Sequence, residues 1–233
     1  MLREKIYSPE ELGVVDAVNT GERIKKLSEV YRSHHKIISM FRVIREWRQF
    51  SQRNFSAPSP TLLKMKTLIS FSNQNGVWVE TGTYMGSTTL YLSKRFPAVI
   101  TIEPSISFHK YAKSRLRSTK NVTLLNGTSE DLFETALLSS APVANVWLDG
   151  HFSDGGTFLG DKVSPVEEEL EAVRRNLGNF DLLTIFIDDV RLFPRSDEEE
   201  TGYPKFQWVI DWCSQNGFKW QVQNDILIAE MIR

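Results

Sequence analysis

Cysteine occurs once in this chain, at Cys213, so no internal disulfide can form, and neither a cysteine-rich zinc site nor a C-x-x-C redox pair exists. Cys213 sits in an apolar stretch and is expected in the core. Long apolar runs are missing too. No segment approaches the ~20 residues of a membrane span, and the N-terminal MLREKIYSPEELG lacks the apolar run of a signal peptide. The expected location is cytoplasmic, with no membrane partner. Neither sign of charge is in excess: 28 basic residues against 29 acidic give a net charge of −1, so no global field draws the chain to nucleic acid or anionic lipid. Repeats and low-complexity tracts are absent.

What remains is an ordinary globular composition, 41% hydrophobic and 24% charged over 233 residues, enough for one large domain with an N-terminal extension. Residues 21–53 place Ile24, Leu27, Tyr31, Ile37, Phe41 and Ile44 at helical spacing among many charges. One or two amphipathic helices are expected there, serving as a lid or as the surface of a homodimer. The prolines of SAPSP, residues 56–60, end the helical pattern, because each removes a donor and restricts its predecessor. The expected division is a helical extension over 1–57 and a catalytic domain over 58–233.

Within that domain residues 77–88, Val-Trp-Val-Glu-Thr-Gly-Thr-Tyr-Met-Gly-Ser-Thr, end a β-branched apolar run in an acid and two glycines. A dinucleotide-binding loop wants G-x-G-x-x-G after its first strand. Here Glu80 stands where the first glycine should be, and a carboxylate repels a pyrophosphate. A ligand carrying an ammonium and a sulfonium, such as S-adenosylmethionine, would welcome it, while Gly82 and Gly86 admit close backbone approach. The plainer alternative is a tight strand-to-helix turn that merely requires glycine.

Strand and helix patterns alternate from there: strands at 77–80, 98–103, 122–125, 144–148 and 182–187, with helices at 87–95, 106–117 and 129–138. Such alternation predicts a parallel sheet with crossover helices, an α/β fold. Ser164-Pro165-Val166-Glu167 reads as a capping box that opens a helix with proline at its first position. Tyr203-Pro204 should start another helix that ends near Gly217. The chain closes with 218–223 and 226–231 around Asn224-Asp225, a hairpin pattern.

In an open α/β sheet, ligands bind at the carboxyl ends of the strands, and each of these strands delivers polar groups there. The first brings Glu80 and the glycine loop, whose following helix offers free N–H groups. The second ends in Glu103, placed to accept from ribose hydroxyls. The third precedes Ser129 and Glu130, where Ser129 either caps a helix or meets an adenine edge. The fourth ends in Asp149, Gly150 and His151, and the fifth in Asp188 and Asp189. Three carboxylates at one end of a sheet would repel unless a cation joined them, and oxygen ligands without cysteine suit Mg²⁺ or another hard divalent ion. The alternative is that Asp188 or Asp189 caps the next segment. Arg191 could meet an acidic substrate or pair with the acidic loop that follows it.

Residues 76–189 resemble the class I S-adenosylmethionine (SAM)-dependent methyltransferases, and within them the metal-dependent catechol O-methyltransferase-like branch. The resemblance rests on Glu80-Thr-Gly82-Thr83-Tyr84-Met-Gly86-Ser87-Thr88, Thr101-Ile-Glu103, Gly127-Thr-Ser129-Glu130-Asp131, Leu148-Asp149 and Asp188-Asp189. It implies a Rossmann-like, seven-stranded and mostly parallel sheet with an antiparallel last strand. It implies that Glu80, Gly82, Thr83, Tyr84, Gly86, Ser87 and Thr88 hold the methionine part of the cofactor, Glu103 the ribose, and Ser129 with Glu130 the adenine. Asp149, Asp188 and Asp189 would hold the metal, the last where the family usually has asparagine. The lysine that acts as base in the catechol branch is replaced here by Phe152, which makes His151 the base candidate. WLDGH, the GG-containing insertion 153–162, S-P-x-x-E-E-L and IDDVRLF are also similar to macrolide and sugar O-methyltransferases. The acceptor expected is therefore a hydroxyl of a small molecule, a sugar, polyketide or phenol. Two alternatives stay open: a metal-independent methyltransferase in which the acids bind a substrate amine, and a SAM-binding regulatory or RNA-associated module that uses the basic N-terminal helices.

Overall fold

The structure, a computed structural model, describes residues 41–150, 164–195 and 202–232. Helix α1 covers 41–52 within them. It is followed by α2 (Thr61–Phe71), β1 (Val77–Thr81), α3 (Ser87–Ser93), β2 (Val99–Glu103), α4 (Ile106–Leu116), β3 (Val122–Asn126), α5 (Ser129–Leu138) and β4 (Val143–Leu148). Then come α6 (Val166–Asn176), β5 (Leu182–Ile187), α7 (Phe206–Gln215), β6 (Phe218–Gln223) and β7 (Ile226–Met231). The strands form one seven-stranded sheet in the order β3-β2-β1-β4-β5-β7-β6. β7 runs antiparallel to both neighbours, and the other pairings are parallel. This is the Rossmann-like architecture expected, and the hairpin at the chain's end inserts its second strand beside β5.

Side chains on a strand alternate between faces, and β1, β4 and β5 show it. Val79, Val146 and Ile185 turn to a core shared with Phe133 of α5, Leu170 of α6 and Trp212 of α7. Trp78, Trp147 and Phe186 turn the other way, onto Met65 and Leu68 of α2 and Leu92 of α3, with the Trp78 and Phe186 rings stacked at 5.3 Å. Both faces of the central strands are covered, which is why they read as continuous apolar runs. Cys213 is fully buried, as expected. Among the described residues no helix is long and apolar enough to cross a membrane.

Two local expectations need correction. Helix α2 was not anticipated, because the prolines before it look like a linker and its apolar residues are too evenly spread to show a stripe. The capping box does not form either. Pro165 is itself the residue preceding α6, which has no side-chain cap, and among the described residues the buried Ser164 hydroxyl meets no hydrogen-bond partner.

At the amino ends of the strands, the fully buried Asn145 fixes the turn between α2 and β1. Its Oδ1 accepts from the Asn73 backbone N–H at 2.7 Å, and its Nδ2 donates to the Asn73 carbonyl at 2.9 Å. Gly76 is required beside it, since a Cβ there would lie 2.6 Å from Nδ2. Asn145→Ala would leave the Asn73 N–H unpaired, while the Asn73 carbonyl keeps the Gly76 N–H at 2.9 Å. The expected loss of unfolding free energy is about 1–3 kcal/mol, measured by urea denaturation. A loss within experimental error would mean that this amide does not hold the turn.

Candidate functional site

Sheet register brings the acids together. Glu80 pairs with Thr101 on one side and Trp147 on the other, Thr81 lies level with Leu148, and Leu148 lies level with Ile187. Glu103, Glu80, Asp149 and Asp188 therefore end four neighbouring strands at one edge. Strand order reverses at β1, where α/β sheets open a ligand crevice.

The loop after β1 is held close to that edge. Gly82 has φ +81°, and a Cβ there would stand 2.4 Å from the Asp149 carbonyl oxygen, so only glycine lets the loop cross the end of β4. Tyr84 takes a left-handed conformation, φ 49°, and its N–H donates to Glu103 Oε2 at 2.6 Å. The Ser105 N–H donates to Oε1 at 2.9 Å. Glu103 thus ties the loop to the start of α4. Burial pushes its carboxyl up to about 7, against the pull of these two amides.

Glu80 is fully enclosed. Its Oε2 accepts from Thr101 Oγ1 at 2.7 Å and from Thr89 Oγ1 at 2.5 Å, while among the described residues Oε1 accepts nothing. Thr101 has spent its proton on Glu80, so Thr83, 2.6 Å away, is the donor between the two threonines. Burial pushes Glu80 up to about 7 as well, with both hydroxyls opposing. Of the other loop residues, Thr83 is buried, Thr88 half-buried, and Tyr84 and Ser87 exposed. Ser87 accepts from Arg115 Nη1 at 3.0 Å. Gly86 precedes α3 in a left-handed conformation. Thr89, which orients Glu80, was absent from the residues expected.

Thr128, not Ser129, caps α5, accepting from the Asp131 N–H. That leaves Ser129 and Glu130 on a cleft of about 330 Å³ between α5 and α6, with Phe133, Glu168 and Glu169. Glu169 is 2% exposed, and among the described residues neither of its oxygens has a partner at full hydrogen-bond geometry. Burial pushes its carboxyl up to about 8, with the nearby Ser129 and Thr81 hydroxyls pulling the other way. The sequence hints at it only as one of three consecutive glutamates.

At the other end of the crevice the expected metal ligands have a different partner. Lys64 Nζ lies 2.6 Å from Asp188 Oδ1 and 2.5 Å from Asp189 Oδ1, and 4.0 Å from Asp225 Oδ2. Arg191 donates to both oxygens of Asp189 and to Asp225. Among the described residues no three acid, histidine or cysteine side chains are grouped to hold a metal ion. The donor chemistry of Asp149, Asp188 and Asp189 suits Mg²⁺, yet two of the three already share an ammonium, so the residues do not fit the ion. Burial and the Asp188 charge hold the Asp149 carboxyl well above the usual aspartate range, with Lys64 opposing. Asp188 is pushed up to about 6 by burial, with Lys64 pulling down. For Lys64 itself burial lowers the pKa, and the Asp188 and Asp189 charges outweigh it and raise the ammonium above the ordinary lysine range. Lys64 and Asp225 went unnoticed in the sequence. His151 and the insertion 153–162 lie outside the described residues.

No family model matches the chain, and no curated protein matches it in sequence. Solved structures do match in fold. A methyltransferase from Geobacter sulfurreducens superposes with a TM-score of 0.50 at 14% identity, over 82% of this chain and 88% of that one. An O-methyltransferase from Bacillus cereus, in complex with S-adenosylhomocysteine, gives 0.50 at 15% identity over 82% and 90%. An rRNA methylase from Streptococcus thermophilus gives 0.44 at 15% over 75% and 95%.

The buried glutamates make stability depend on pH. Glu80 and Glu103 bind protons more tightly when folded, near 7, than at the ordinary value of 4.5. Their contribution is therefore complete below about 4.5 and is lost as pH rises through about 7. Melting of the ligand-free protein between those limits should show a decline with pH that Glu80→Gln makes shallower. An unchanged slope in the variant would mean that Glu80 is ionised throughout.

Proposed function

We propose that this protein is a SAM-dependent methyltransferase acting on a hydroxyl of a small molecule such as a sugar, polyketide or phenol. The observation that carries the reading is the pair of buried carboxylates on either side of the Gly82 loop: Glu80 with one oxygen uncommitted, and Glu103 at the end of β2. A cationic amino-acid end and a ribose diol are the complementary ligand groups. Glu80 would take the cofactor's ammonium, with Gly82, Thr83, Tyr84, Gly86, Ser87 and Thr88 shaping the methionine pocket. Glu103 would accept from the ribose hydroxyls, and Ser129 and Glu130 would meet the adenine at the cleft between α5 and α6. The fold shared with an O-methyltransferase from Bacillus cereus supports it.

In the transfer itself the methyl–sulfur bond breaks as the methyl–oxygen bond forms, and the hydroxyl proton leaves to a base. His151, three residues beyond β4 in the sequence, is our candidate for that base; an imidazole suits the task at neutral pH. The protein's share is mainly positioning and electrostatics. A divalent ion among Asp149, Asp188 and Asp189 would supply Lewis acidity if bound, but the Lys64 pairing speaks for the metal-independent form of the same reaction. The acceptor partner we propose is small, given the balanced charge of the chain.

Calorimetric titration with S-adenosylhomocysteine tests the cofactor site. Wild type should bind, and Glu103→Ala should weaken binding by about 10–100-fold, the worth of hydrogen bonds to a charged group. Well-folded protein that ignores the ligand would sink the reading. For the base, His151→Ala should leave that affinity within about threefold while slowing methyl transfer to an acceptor found by screening by at least ~100-fold; full activity would remove His151 from the mechanism.

A further inference from the structure

Lys64 is not a surface lysine that happens to find an acid. Its helix is fixed on both sides: Met65 and Leu68 are buried in the core, and the Thr67 hydroxyl accepts from Asn224 Nδ2 at 2.9 Å. At the start of α2, Glu46 of α1 accepts from the Thr61 N–H at 2.9 Å. The side chain is 12% exposed and ends between Asp188 and Asp189, residues separated from it by more than 120 positions. An ammonium has three donors and no acceptor, and two of these donors are used on adjacent carboxylates.

The opposing groups complete the account. Asp225, from the turn between β6 and β7, is 2% exposed at its side chain and receives Arg191 through both its backbone N–H and its guanidinium. Asp189 is bracketed by Lys64 on one side and Arg191 on the other. Among the described residues four aspartates, 149, 188, 189 and 225, thus face the two cations Lys64 and Arg191. A divalent ion needs short, direct oxygen contacts, and to reach Asp188 and Asp189 it would have to displace Lys64 or sit against like charge.

We propose that Lys64 is the resident cation of this site, in the place among Asp149, Asp188 and Asp189 where the sequence leads one to expect a divalent metal. Its ammonium pairs with Asp188 and Asp189 at the carboxyl end of β5 and places a fixed ammonium at the acceptor end of the crevice. That this is the acceptor end rests on the methyltransferase reading; the occupancy of the site by Lys64 does not.

Manganese binding, followed by the loss of the free Mn²⁺ paramagnetic resonance signal, tests the proposal on the full chain. Wild type should leave the signal of sub-millimolar Mn²⁺ unchanged. Lys64→Ala should take up one ion per chain, with affinity at least ~10-fold above wild type, and Lys64→Ala with Asp188→Asn should lose it again. Lys64→Met, which keeps most of the apolar stem, serves the same purpose should the alanine variant unfold. Stoichiometric uptake by wild type that Asp188→Asn abolishes would overturn the proposal. So would folded Lys64 variants with no gain in Mn²⁺ affinity. Parallel titration with S-adenosylhomocysteine separates the two ideas: wild type that fails to bind it refutes the proposed function while the manganese result still decides the role of Lys64.

Discussion

Parallel register is the constraint from which the rest of this site follows. Four strands end at one level, and the acids at or next to their ends are Glu103, Glu80, Asp149 and Asp188. The backbone imposes this closeness, and like charges in a low-dielectric crevice oppose it. Each acid has a separate remedy. Glu103 is met by two backbone amides, Glu80 by two threonine hydroxyls, and Asp188 by an ammonium. Asp149 has its carboxyl raised towards the neutral form by burial and by Asp188.

The remedies differ in what they leave for a ligand. Amides and hydroxyls do not cancel a carboxylate's charge, so Glu80 and Glu103 keep their appetite for donors and cations. An ion pair does cancel it, and Asp188 and Asp189 are largely spent on Lys64 and Arg191. The same row of acids consequently keeps uncancelled carboxylates at β1 and β2 and holds ion-paired ones at β5. Gly82 joins the two halves, because the loop that carries Tyr84 to Glu103 crosses the Asp149 carbonyl at a distance no side chain permits.

What could be read from the sequence follows the range of the interactions. Strand ends, the closing hairpin and the left-handed glycines have local signatures, and β5, α5, β6 and β7 fall on the residues expected. The capping of α5 by Thr128 rather than Ser129 is a one-residue matter of helix phase, below what pattern alone resolves. Lys64 is different. Nothing near it in the chain marks it, since its helix has no clear apolar stripe and its partners come from the far end of the sheet. Asp225 read as a turn residue, which it is, with φ 66°; that the turn also carries a buried carboxyl into the site depends on β7 slotting between β5 and β6. Three acids without a visible counter-charge pointed to a metal, and the counter-charge was present in an element the pattern did not show.

This split has a consequence for specificity. The half at β1 and β2 is built from one loop and the register of neighbouring strands, and the overall fold is shared with two solved methyltransferases at only 14% and 15% identity. The half at β5 is built from contacts among α2, the turn after β5 and the β6–β7 hairpin, tied by Thr67 to Asn224, by Val190 to the Asp225 carbonyl and by Arg191 to Asp225. Such long-range junctions change with any of the three elements, whereas the sheet does not. One end of the crevice can therefore change its counter-charge without disturbing the other, provided that the helix supplying the lysine is anchored as firmly as α2 is by Met65 and Leu68.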